Sequence, residues 1–205
     1  MNPNVKDKKA DRSTLQPETS DDLNKAVEVL RKGGIILYPT DTVWGIGCDA
    51  TNAEAIARIY KLKQRAEAKA MITLVCDLNM LERTVTGIAD VAYDIMEFST
   101  KPITIIYDRG INVAPNILAD DGSLAVRVCH DRFASTLCRR LGKPLVSTSA
   151  NISGQPTPAN YGEISEDILE GVDYVCTTRR DEKIKHKSST IMRLSADGEF
   201  KIIRP

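Results

Sequence analysis

Lys143-Pro-Leu-Val-Ser-Thr-Ser-Ala-Asn-Ile-Ser-Gly154 is the stretch whose reading decides the fold. Leu145 and Val146 form a short apolar strand that runs straight into Ser147, Thr148, Ser149, Asn151 and Ser153. Gly154, Pro156 and Pro158 then stop regular structure. A strand whose C-terminal end opens into a polar loop is where an α/β sheet usually places its ligand. Small side chains let the backbone approach an oxygen-rich ligand, and their hydroxyls can hydrogen-bond it. Ser, Thr and Asn also build turns that satisfy only their own backbone, so this stretch by itself leaves both readings open.

The chain has 205 residues, 42% of them hydrophobic and 27% charged, enough to bury a core. No long Gly/Ser/Pro linker divides it, so one domain over residues 19–205 is expected, behind a flexible polar tail over residues 1–18. Lys+Arg and Asp+Glu both number 28, and this balance argues against wholesale nonspecific nucleic-acid binding while allowing a local basic patch. Five cysteines without a C-x-x-C pair fit buried free thiols in a reducing compartment, and two separated histidines argue against a zinc site. No signal-like segment and no apolar run near the roughly 20 residues of a membrane span is present, so a cytoplasmic protein is expected.

Working outward, Leu23, Ala26, Val27 and Leu30 form the stripe of a helix that starts near Ser20 or Asp21 and ends at Gly33-Gly34. Gly34 to Tyr38 is an unbroken apolar strand, and Pro39-Thr-Asp-Thr42 sits at its end. Thr51-Asn-Ala-Glu54 reads as a capping box with Thr51 at the N-cap. The helix behind it puts Lys63 on its buried face, where a charge wants an anionic partner. Arg65 follows two residues later, and both cations also suit the negative end of a helix. Strands are expected at 71–75, 103–107, 123–128, 173–176, 188–192 and 200–204, and helices at 88–98, 131–141 and 163–169. Ile88, Val91, Ala92 and Ile95 form the expected inner face of the 88–98 helix. If Leu124, Val126 and Val128 face the core, Arg127 points to the opposite face, shared with the strand ends. Residues 179–187 read as a solvated charged loop. The alternation of helices and strands argues for α/β architecture. Neither a P-loop nor G-x-G-x-x-G is present.

In combination, Tyr38-Pro-Thr-Asp-Thr42, Gly45-x-Gly47-Cys48, Lys63-Gln-Arg65, Ala125-Val-Arg-Val128, residues 143–154, Ser189-Thr-Ile191 and Ile203-Arg-Pro205 resemble the YrdC-like family of L-threonylcarbamoyladenylate synthases, in its short single-domain form. The resemblance implies one YrdC-like α/β domain, a twisted mixed β-sheet flanked by helices with a concave, positively lined pocket. It implies the joining of L-threonine, bicarbonate and ATP into threonylcarbamoyl-AMP with release of pyrophosphate. A tRNA threonylcarbamoyl transferase then uses the product on an adenosine beside the anticodon.

Residue by residue, the resemblance assigns Lys63 and Arg65 to the catalytic handling of ATP phosphates and carbamate oxygens. Ser149, Asn151 and Arg204 join them for ATP, and Thr42, Arg127, Ser147 and Ser189 are assigned to threonine. These groups are expected around one hollow sized for a nucleotide. Mg2+ is expected to arrive with ATP, since the sequence holds no dedicated metal motif; Asp41 is the carboxylate considered as its ligand. Weak RNA binding and no membrane association are expected. Two segments depart from the family pattern, Lys69-Ala-Met71 and Ser99-Thr-Lys-Pro-Ile-Thr104, the second expected to border the pocket. The alternative is a non-catalytic nucleotide- or RNA-binding relative on the same fold. The retained Lys63, Arg65, Ser149 and Asn151 favour the enzyme, and 5% aromatics leaves few residues for stacking bases.

Overall fold

The computed structural model describes residues 17–64, 71–182 and 188–205. Most of the expected tail therefore lies outside the described residues. In chain order the elements are α1 (Pro17–Arg31), β1 (Ile36–Tyr38), β2 (Gly45–Gly47), α2 (Ala53–Leu62), β3 (Ile72–Val75), α3 (Leu78–Glu82) and β4 (Val85–Thr86). Then come α4 (Asp90–Phe98), β5 (Ile103–Tyr107), β6 (Arg109–Gly110), β7 (Leu124–Val128), α5 (Arg132–Leu141) and β8 (Leu145–Ser149). The chain closes with α6 (Glu166–Gly171), β9 (Tyr174–Val175), β10 (Thr190–Leu194) and β11 (Phe200–Arg204). Nine strands form one mixed sheet in the order β11-β10-β5-β7-β3-β8-β2-β1-β9, and β4 pairs with β6 beside it.

The α/β expectation holds, with a large mixed sheet flanked by helices. Tyr38, Leu37 and Ile36 are fully buried, as an unbroken apolar strand requires. Leu23, Ala26, Val27 and Leu30 are buried on one side of α1, which packs on α5.

Several local expectations need correction. Helix α1 begins at Pro17, three residues before Ser20. The N-cap of α2 is Asn52, whose side chain accepts from Ala55 N, while the Thr51 hydroxyl donates to Asp49 Oδ1. Two adjacent cap-type residues compete there, and the buried Asp49 draws Thr51 away. Val91 is exposed rather than inward, and Ala92 is the buried residue of α4. Strand β2, helix α3 and the β4–β6 pair were not expected at all. The end of the charged loop also differs: Arg179 and Arg180 are half-buried and bonded, whereas residues 183–187 lie outside the described residues.

Asp22 shows what ties the N-terminal helix to the sheet. Its side chain is buried and accepts from Tyr174 Oη at 2.7 Å, Thr177 N at 3.0 Å and Thr178 N at 2.8 Å, as well as from the Thr178 hydroxyl. Burial by itself would raise its pKa, but the bonds from Thr178, Tyr174 and the two backbone amides outweigh that and lower it. A carboxyl with a lowered folded pKa adds stability above its unfolded pKa, and that stability is lost as pH falls through the folded value. Asp22→Ala is therefore expected to lower the unfolding free energy by about 2–3 kcal/mol at neutral pH, because several donors lose their acceptor together. In urea titrations the gap to wild type should close as pH falls below about 4. A gap that is constant with pH would mean the charge of Asp22 is not what matters.

Candidate active site

Sheet register explains which side chains meet. Ser147 lies opposite Ile72, Ser149 opposite Gly45, and Leu74 opposite Arg127, so Gly45, Ile72, Arg127, Ser147 and Ser149 share one face. Ile191 pairs with Thr104 and continues that face through β5 and β10. The residues on this face line a cavity of about 190 Å³, together with Thr42, Ser189 and Arg204. Gly45 keeps it open at one side, since a Cβ there would lie 3.2 Å from Ser147 Oγ. The cavity falls below the roughly 300–1,000 Å³ typical of drug-sized ligands. It suits an amino acid with an attached acyl or phosphoryl group, and a nucleotide would extend beyond it.

Arg127 is 3% exposed, which makes it the most consequential charge here. Its Nη1 donates to Thr42 Oγ1 at 3.3 Å, and its Nη2 lies 3.2 Å from Asp41 Oδ1. Asp41 is not among the cavity-lining residues, so it steadies the guanidinium from outside the cavity. Ser189 is buried, shares a hydrogen bond of 2.9 Å with Thr104 Oγ1, and its carbonyl accepts two bonds from Arg204. Partial burial, followed by the like charge of Arg127, holds the Arg204 guanidinium below its usual pKa. Two guanidiniums that disfavour one another across a cavity gain when an anion enters between them.

Lys63 is 1% exposed and reaches the site from the C-terminus of α2. Its Nζ donates to the carbonyls of Ser149 and Asn151, and its own carbonyl accepts from Ser153 N. It therefore fastens α2 to the loop that leaves β8. Asn151 holds the same loop through bonds to Ile152 O and Gln155 O, and its Oδ1 is buried without a hydrogen-bond partner among the described residues. Neither Lys63 nor Asn151 lines the cavity, although both sit directly behind Ser149. Arg65 lies outside the described residues.

Of the sequence candidates, Thr42, Arg127, Ser147, Ser149, Ser189 and Arg204 come together in the cavity wall. Thr148, Thr157 and Ser188 also line it. Ser188 adjoins a hydroxyl cluster visible in the sequence, but Thr157 stands in a proline-broken loop with no periodicity to mark it. Met71 lines the cavity from the first departing segment. The second departing segment does not border it: Thr104 supports Ser189 from behind, and Thr100 and Lys101 are exposed.

The wall offers hydroxyls and cations but few groups for covalent chemistry. All five cysteines are buried and free, and burial raises every thiol, Cys76 to about 11. Among the described residues no three His, Cys, Asp or Glu side chains gather as metal ligands. Asp41, the carboxylate considered for Mg2+, is ion-paired with Arg127. Such a surface binds and orients oxyanions and neutralises charge growing on them.

Three comparisons bear on this geometry. A family model described as telomere recombination, and covering Sua5, YciO and YrdC, matches residues 28–205. A Chromohalobacter salexigens protein named threonylcarbamoyl-AMP synthase is 36% identical over 156 residues, 76% of this chain and 84% of its own. The crystal structure of E. coli YciO superposes with a TM-score of 0.79 at 27% identity, covering 92% of this chain and 90% of that one. That of P. abyssi Sua5 complexed with L-threonine gives 0.76 at 23% identity, and this chain spans only 55% of its length. Sequence match and shared fold agree: the chain belongs to the Sua5/YciO/YrdC family.

Proposed function

We propose that the protein is an L-threonylcarbamoyladenylate synthase, a transferase of the nucleotidyltransferase kind. The observation that carries this reading is the convergence of Ser147, Ser149, Ser189, Arg127 and Arg204 on one sheet face, in a chain whose relatives carry that activity in their name. The amine of threonine forms a C–N bond with bicarbonate or CO2, and bicarbonate loses water. A carbamate oxygen then attacks the α-phosphorus of ATP, and pyrophosphate leaves. Both steps join anions to anions, so the protein's task is to hold them in line and balance their charge.

Arg127 pairs the substrate carboxylate as a bidentate fork, with the hydroxyls of Thr42, Ser147 and Ser189 around the rest of the amino acid. Ser149 and Arg204 take nucleotide phosphate at the opposite side. Lys63 and Asn151 act on the same phosphate by fixing the loop that presents Ser149, and Arg65 is assigned to phosphate by the family motif alone. Bound with ATP, Mg2+ would offset part of the phosphate charge. Downstream, a tRNA threonylcarbamoyl transferase collects the product in the cytoplasm. The net charge of zero fits weak RNA binding at most. The same chemistry disfavours a pure RNA binder, because Arg127 is buried in the cavity wall rather than spread along a basic surface.

The decisive assay incubates the protein with ATP, labelled bicarbonate and a panel of amino acids. Label should enter an acyl-adenylate with threonine alone; label with another amino acid, or none, refutes the assignment. Arg127→Ala should weaken threonine binding by about 2–5 kcal/mol while ATP binding changes little, as read by calorimetry. Equal losses for both ligands would place Arg127 elsewhere in the site. Lys63→Met keeps the side-chain volume but removes the donor to two carbonyls. It should lower acyl-adenylate formation at least about tenfold and stability by about 1–3 kcal/mol. Full activity would show that the fastening of the loop is dispensable.

A further inference from the structure

Arg179 opens the charged run that sequence reads as a solvated loop, yet its side chain is only 24% exposed. All three of its guanidinium nitrogens are engaged. Nε donates to Glu182 Oε2 at 2.6 Å, Nη1 to Asp131 Oδ2 at 2.8 Å, and Nη2 to the carbonyl of Thr40 at 3.1 Å. Asp131 is itself anchored, since its other oxygen caps α5 through Ala134 N. The backbone at Arg179 has φ of 65°, a left-handed conformation that a non-glycine residue keeps only when its surroundings over-determine it. Strain of this kind, spent on holding one carbonyl, asks what that carbonyl controls.

The Thr40 hydroxyl donates to Val43 O at 2.7 Å, so its oxygen can only accept from Thr42 N and from the Thr42 hydroxyl, each at 3.0 Å. With its proton given to Thr40, Thr42 Oγ1 has a lone pair for Arg127 Nη1. A one-way relay therefore runs from Arg127 through Thr42 and Thr40 to Val43, on a turn whose first carbonyl is gripped by Arg179. The crevice between Arg179 and this turn holds about 10 Å³, scarcely one water, so Arg179 touches no substrate through it.

We infer that Arg179 is a positioning residue for the amino-acid end of the cavity, acting through the Thr40–Thr42 turn to set the orientation of Arg127. The inference rests on the reading of Arg127 as the group that pairs the substrate carboxylate. Its residues lie far apart along the chain, and the clamp uses two carboxylates against one guanidinium, so a lysine cannot replace the three-way fork.

The test compares wild type with Arg179→Ala and Arg179→Lys in steady-state acyl-adenylate formation. Both variants should raise KM for the amino acid by about tenfold, with KM for ATP and kcat changed about twofold at most. A rise of both KM values together, or a fall in melting temperature with unchanged KM, would overturn the inference and leave Arg179 a structural residue. The amino acid used is whichever the wild type adenylates, so a wrong substrate assignment does not mask the outcome. Hydrogen exchange gives a readout independent of activity. In Arg179→Ala the Thr42 amide should exchange about tenfold faster while the Leu137 amide in α5 stays protected. Unchanged protection at Thr42 would also overturn the inference, even in a protein that adenylates nothing.

Discussion

The register of β8 is the constraint on which the site depends. This strand is antiparallel to β2 on one side and to β3 on the other, with Ser149 opposite Gly45 and Ser147 opposite Ile72. Side chains alternate across a strand, so a slip of one residue would put Val146 in the place where Ser147 now faces the cavity. The apolar set fixes the choice: Leu145 and Val146 are fully buried, and a slip would bring one to the opened wall. Gly47 holds the neighbouring strand close, since a Cβ there would lie 2.5 Å from Val146 O. At the strand's exit, Lys63 grips the chain through the carbonyls of Ser149 and Asn151. Those two carbonyl dipoles meet the buried ammonium and hold the loop directly behind Ser149.

Charge is arranged against the grain of the composition. The whole chain is neutral, yet Arg127, Arg204 and Lys63 crowd one end of the sheet. Surface pairs elsewhere, such as Arg193 with Asp108 and Asp121, are about 41% exposed on the arginine and contribute little to stability. Arg127 at 3% exposure cannot be treated that way. Its burial is costly, and a single carboxylate at 3.2 Å offsets only part of it. Among the described residues, Arg127 is therefore left short of negative charge. This is why the buried arginine, more than the count of hydroxyls, separates a binding site from a polar turn.

What the sequence discloses follows from how local each cause is. The facing of Arg127 is readable because strand alternation is a two-residue property. The hydroxyl clusters at 147–149 and 188–189 are readable because strand ends are marked by composition. Strand β2 is not, since two of its three residues are glycines, poor strand formers, and it pairs with β1 and β8. Thr51 and Asn52 are equally good cap residues, and only the buried Asp49, held by Lys143, decides between them. Val91 satisfies a helical stripe but meets no partner surface, so periodicity alone misplaces it. Arg179 is hidden for the same reason on a longer scale, because its partners are 48 and 139 residues away.

The two segments that depart from the family pattern illustrate how a fold absorbs change around a fixed site. At 99–104 the exposed Thr100 and Lys101 carry the altered composition, whereas Thr104 is buried and keeps its hydroxyl on Ser189. Pro102 contributes its carbonyl to Thr190 N, so the entry to β5 is also the support for the start of β10. The outer part of this segment is thus exposed, and its inner residue orients a cavity hydroxyl. At the other segment Met71 is 2% exposed and lines the cavity directly. An unbranched thioether adapts its shape to whatever the neighbouring chain does, so a change there alters the contour of the wall without disturbing Ile72 and the register behind it. Tolerance is thus greatest where a side chain only fills space, and least where, as at Thr104, a single oxygen sets the direction of another.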